Sequence, residues 1–136
     1  MIQKICKDMF LLARKSLPAT PDDLPVAKDL LDTLMAHRDS CVGMAANMIG
    51  VSKRIIVFTQ DGRCRLMFNP VLQQKLGPYE TQEGCLSLSG TRPALRYQTI
   101  QVRWQDERFE PRCETFSGWT AQIIQHELDH CDGILI

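Results

Sequence analysis

Apolar residues recur at Val26, Ala27, Leu30, Leu31, Leu34 and Met35, the three-and-four spacing of one helix face. Thr20 before Pro21, Asp22 and Asp23 supplies a cap, a proline at the first helical position and acidic residues at the positive end. A helix is therefore predicted from about residue 20 to His37, where an imidazole at the end of a helix is unremarkable. The pattern then changes. Residues 54–59 are β-branched and apolar, 60–63 form a turn signal, and 65–68 return as a second strand. Asn69-Pro70 reads as the end of that strand and residues 71–76 as a third. Residues 97–104 alternate with period two, as a half-exposed strand does. A turn at 105–108 leads to a strand near 112–116. The last element is a helix from about Gly118 to His130, stopped by Gly133. Strands mixed irregularly with two helices predict an α+β domain, its mixed or antiparallel strands packed around the C-terminal helix.

The 136 residues predict one domain spanning 1–136. The 16 basic and 16 acidic residues cancel, which removes the field that would recruit nucleic acid or an anionic membrane. The apolar run 9–13 is bracketed by charges and is too short for a secretory or membrane segment. A cytoplasmic setting follows as the expectation, with the six cysteines free or metal-bound rather than paired. Between the helix and the first strand, residues 41–50 are small and apolar. Gly43 and its alanines permit close backbone approach, to a neighbouring element or to a ligand.

The chemistry concentrates in His126-Glu127-Leu128-Asp129-His130. Residues four apart share a helix face, so two imidazoles there can hold one metal ion, with Glu127 close enough to act on a water at that ion. Two of the chain's three histidines fall in this pattern. A catalytic site of this type needs a third protein ligand and an open position. No histidine or glutamate follows His130, so the third donor comes from elsewhere. Cys85, after Gly84, is one candidate. Cys131 is the rival, although it lies about 100° around the helix from His130. An apolar pocket for a substrate side chain has Met44, Trp119 and Ile123 as candidate walls.

Three segments now stand in order: Gly43-Met44-Ala45-Ala46-Asn47-Met48, then Glu83-Gly84-Cys85-Leu86-Ser87, then the histidine helix. With this order and spacing the chain resembles the peptide deformylases over essentially its whole length. The resemblance implies the α+β deformylase fold, with Cys85, His126 and His130 as metal ligands. It implies Glu127 as the general base and the Leu86 backbone N–H as an oxyanion donor. Gly43, Met44, Glu83, Gly84 and Arg92 join Trp119 and Ile123 as substrate-binding candidates. It also implies one divalent ion, Fe2+ in the cell with Zn2+, Ni2+ or Co2+ accepted. The implied reaction removes the formyl group from N-terminal formyl-methionine of nascent chains, possible contact with the ribosome included. Three departures stand out. Met48 replaces the family's glutamine, whose amide donates to the formyl oxygen, Cys41 replaces a glycine, and no C-terminal extension follows the metal helix. Two other readings remain open: a metal- and peptide-binding relative with reduced or no activity, and a metalloamidase on another acylated substrate. A zincin-like protease would rest on the histidine helix alone and ignore Cys85.

Overall fold

The computed structural model of the chain describes residues 1–136. After a short helix α1 (Met9–Leu12) and a 3-10 turn (Pro21–Asp23), helix α2 runs over Leu24–Ala36. Strand β1 (Gly43–Ala45) passes through a 3-10 turn (Ala46–Ile49) to β2 (Ile55–Gln60), β3 (Arg63–Cys85), β4 (Leu88–Gln105) and β5 (Pro111–Ser117). Helix α3 (Gly118–Cys131) closes the order. The five strands form one antiparallel sheet in the order β1-β2-β3-β4-β5.

The two long helices cover opposite faces of this sheet. Ile56 and Phe58 pack with Ile123, Ile124 and Leu128 of α3, whereas Ile55 and Val57 pack with Leu30 and Leu34 of α2. Strand β2 is thus buried on both faces, which explains its unbroken apolar run. Phe58, Trp104 and Phe116 complete the α3 side. Gln125 docks α3 onto β4: its Oε1 accepts from Tyr97 N at 2.8 Å and its Nε2 donates to Tyr97 O at 2.9 Å. Exposing either backbone group in an apolar interface would leave it unpaired, so the glutamine fixes the height of the helix on the sheet.

One expected boundary is absent. Asn69-Pro70 does not end a strand: β3 continues through it to Cys85, with irregular register between Phe68 and Val71. Asn69 adopts φ +52°, and its side chain satisfies Ala19, accepting from its N at 2.7 Å and donating to its O at 3.0 Å. The pair makes a bulge that bends the strand rather than a stop. The consequence is functional. The far half of β3 and β4, Pro78–Cys85 against Leu88–Tyr97, reaches over α3 and delivers Cys85 to it.

Candidate metal centre

Helix α3 buries most of its surface. His126 and Glu127 are 8% and 3% exposed and His130 is fully buried. Cys85 is the last residue of β3, immediately before the two-residue turn at Leu86 and Ser87. The hairpin brings its thiol to the histidine face. Cys85 Sγ lies 3.3 Å from His130 Nε2, which lies 3.1 Å from His126 Nε2, and the three donor atoms fall within 4.8 Å of one another. Two ring nitrogens bound tetrahedrally to one ion at about 2.05 Å stand about 3.3 Å apart, and a thiolate–nitrogen pair about 3.5 Å. The cluster therefore fits a single cation. Cys131, the rival sulfur, is buried in the α3-side core. All six cysteines are free.

The surroundings fix the His126 imidazole, whereas His130 Nδ1 is buried without a hydrogen-bond partner. His126 Nδ1 donates to Glu83 Oε1 at 2.8 Å, which turns Nε2 toward the cluster. Glu83 is in turn gripped by Arg96, Nε to Oε2 at 2.9 Å and Nη2 to Oε1 at 2.7 Å. Gln122 Nε2 donates to Glu83 Oε2 at 3.0 Å and is itself held by Tyr79. Arg96 Nη1 reaches Asp129 Oδ2 at 2.8 Å. Asp129, Arg96, Glu83 and His126 thus form one buried chain from the sheet into the helix. Burial alone would raise the Glu83 pKa, but the hydrogen bonds from His126 and Arg96 and their charges bring it down to about 2. At His126 burial opposes the charge, yet Cys85, Glu83 and Glu127 together raise its pKa. These acidic neighbours favour positive charge at this spot. Burial and the adjacent His126 hold His130 neutral, the form in which an imidazole binds metal.

Glu127 is placed differently. Its Oε1 is buried without a hydrogen-bond partner. Burial, reinforced by Glu83 and opposed by His126, pushes its pKa up to about 7. A cavity of about 640 Å³ opens beside it, lined by Gly43, Met48, Gly84, Cys85, Leu86, Trp119, Ile123 and His126 among others.

Several expected substrate contacts have other places. Gly43 does line the cavity, and a Cβ there would meet Glu127 Oε2 at 2.7 Å and Ile123 Cγ2 at 2.8 Å. Met44 does not, because successive residues of β1 point to opposite faces. Gly43 faces α3, whereas Met44 is fully buried on the α2 side with Leu30 and Phe68. Arg92 pairs opposite Glu83 across the hairpin, but it lies outside the cavity lining and donates to Ser89 O at 3.4 Å. Glu83 lines the cavity while its carboxylate is committed to His126 and Arg96. Leu86, Gly84 and Ile123 line it too, and Trp119 stands 61% exposed at its edge. Sequence reasoning missed Arg96. Its signal was parity: Arg96 shares the inward phase of β4 with Ala94, Ile100, Val102 and Trp104. Asn47 is spoken for, since its Nδ2 donates to His130 O at 2.9 Å. Cys41 also lines the cavity; burial pushes its thiol up to about 11 while it donates to Gly43 O.

The model of the polypeptide deformylase family matches residues 2–136. A peptide deformylase of Clostridium beijerinckii is 53% identical over 136 residues, covering all of both chains. The chain belongs to the polypeptide deformylase family. A second member, from Thermus thermophilus, is 35% identical over 128 residues, spanning 81% of this chain and 66% of that protein. Solved deformylases share the fold. A Thermus thermophilus structure superposes with a TM-score of 0.87 at 34% identity over 99% of this chain and 83% of the other. That of Thermotoga maritima gives 0.89 at 26% identity over 99% and 95%. The protein is therefore a metal-dependent hydrolase of the deformylase type, acting in deformylation of nascent peptides. No helix is long and apolar enough to cross a membrane.

Proposed function

We propose that residues 1–136 act as one catalytic domain in which Cys85, His126 and His130 hold a single divalent cation. In this reading Glu127 moves the proton during hydrolysis of N-formyl-methionyl peptides. The observation that carries the reading is the convergence of one thiol and two imidazole Nε2 atoms beside a buried carboxylate with no hydrogen-bond partner at Oε1. When bound, the cation polarises the formyl carbonyl and lowers the pKa of a water beside it toward neutrality. Glu127, with its pKa near 7, is matched to accept a proton from that water and return it to the leaving amine. The Leu86 N–H donates to the developing oxyanion. The cavity between Trp119 and Ile123 receives the methionine side chain, and Gly43 and Gly84 let the peptide backbone approach. Glu83, Arg96 and Asp129 orient His126 and stay off the substrate.

The mixed thiolate and imidazole set suits Fe2+, with Zn2+, Ni2+ or Co2+ as substitutes. The setting is the cytoplasm, where nascent chains emerging from the ribosome supply the formylated terminus. Metal content tests the assignment. Cys85→Ala purifies without stoichiometric metal, and Glu127→Ala retains it while turnover falls by about 10²–10⁴-fold. A fully loaded Cys85→Ala protein would reassign the third ligand.

A further inference from the structure

Three sulfur-bearing residues, Cys41, Met48 and Cys85, line the cavity. Cys85 belongs to the donor cluster. Cys41 is held aside, its thiol donating to the Gly43 carbonyl at 3.0 Å. Met48 differs from both. It is 1% exposed, and its backbone is pinned in the 3-10 turn, where Met48 O accepts from Cys6 N at 2.7 Å. Its thioether Sδ stands 4.0 Å from Cys85 Sγ. Two sulfurs bound tetrahedrally to one ion at about 2.3 Å each lie about 3.8 Å apart. The sulfur–sulfur separation therefore suits a shared cation, as do the two nitrogen–nitrogen and nitrogen–sulfur separations already described.

We infer that Met48 Sδ is a fourth, displaceable donor to the cation held by Cys85, His126 and His130. The resting centre is then a Cys-His-His-Met set, an inference that rests on the three-ligand reading above. A thioether is neutral and soft, so it strengthens binding of softer ions relative to Mg2+ or Mn2+. It is also a weaker donor than a thiolate, on a side chain with three rotatable bonds. A water or substrate oxygen can displace it, which opens the position that the proposed hydrolysis uses. Met48 in this role sets metal preference and guards the open position.

The test is X-ray absorption at the cobalt edge on the full chain loaded anaerobically with one equivalent of Co2+, with bound Co2+ quantified in each sample. Two sulfur scatterers per Co2+ are expected in the wild type and one in Met48→Leu, with Co2+ affinity lowered by about tenfold or more. Met48→Gln, of similar length without sulfur, gives the same sulfur count if the leucine variant does not fold. Cys41→Ser keeps both sulfurs. One sulfur per Co2+ in a fully loaded wild type overturns the role of Met48 and leaves the three-ligand centre standing. A second sulfur that survives in Met48→Leu and vanishes in Cys41→Ser overturns it equally. Co2+ bound without sulfur, or not bound at all, overturns both readings.

Discussion

Gly43→Ala places a methyl group against the Glu127 carboxylate, the proposed carrier of the proton. The added Cβ would stand 2.7 Å from Glu127 Oε2 and 2.8 Å from Ile123 Cγ2. An ordinary contact is about 3.5 Å, so roughly 0.8 Å must be found on the glutamate side and 0.7 Å on the isoleucine side. The two residues lie one turn apart on α3, which is buried from Ala121 through Leu128 at all but Gln122. The helix is also fixed in height by Gln125 on Tyr97, so it has little room to retreat. Glu127 must rotate instead. A displacement near 1 Å at a reacting group is worth about 10²-fold in rate, and overpacking of this kind costs about 1–3 kcal/mol. Steady-state turnover of a formyl-Met peptide, metal content and a thermal melt together read the outcome. kcat is expected to fall about 10²-fold with metal retained, because the nearest atoms belong to Glu127 and Ile123 and not to a ligand. Gly84→Ala is the steric control, since its Cβ would meet Gly90 O at an ordinary 3.5 Å, and its stability is expected to change by less than about 0.5 kcal/mol. Wild-type kcat in a folded, metal-loaded Gly43→Ala protein would refute the placement of Glu127 against this glycine.

Arg96→Leu removes two of the four hydrogen bonds on the buried Glu83 carboxylate and leaves it without a guanidinium, and a loss of about 3–5 kcal/mol is expected in chemical denaturation; an unchanged midpoint would remove Arg96 from the support of the centre. The pH dependence follows from the same carboxylate. Its folded pKa, about 2, lies below the ordinary 4.5, so its contribution is fully present above pH 4.5 and is lost as pH falls toward 2. The chelated wild type should lose about 3 kcal/mol across that window, and Glu83→Gln should lack this acid limb; parallel profiles would contradict it. Met48→Gln replaces a thioether with an amide donor and is expected to raise turnover, up to the about 10²–10³-fold that one oxyanion donor is worth. No gain in kcat would mean that oxyanion stabilisation does not limit this site.

The histidine helix was legible because its chemistry and its geometry share one period: two imidazoles four residues apart sit on one face whatever surrounds them. The resemblance carried by Glu83-Gly84-Cys85-Leu86-Ser87 named the thiol, and the free chain alone left Cys131 open beside it. The long β3 was not legible. Asn69 and Pro70 carry the composition of a stop, and only the partner strand, the positive φ of Asn69 and its bonds to Ala19 turn them into a bulge. Residues 77–96 escaped assignment because that half of the hairpin holds Gly77, Pro78, Gly84, Gly90 and Pro93, which read as loop. Its ladder is set by pairing between β3 and β4, a non-local property. Met44 was misplaced since the strand phase of a three-residue β1 cannot be read without its neighbour β2. Arg96 was passed over for a related reason: a charge is taken as solvated until its partners are seen, and Glu83 and Asp129 lie 13 and 33 residues away.

One cation on Cys85, His126 and His130, served by Glu127, is the proposed engine of deformylation. The decisive experiment is turnover of a formyl-Met peptide by protein purified without oxygen, across samples of graded Fe2+ or Ni2+ occupancy measured in the same tubes. Turnover is expected to rise in proportion to occupancy and to collapse in Glu127→Ala at equal occupancy. A fully occupied wild type without turnover, or activity undiminished in Glu127→Ala, would contradict that mechanism.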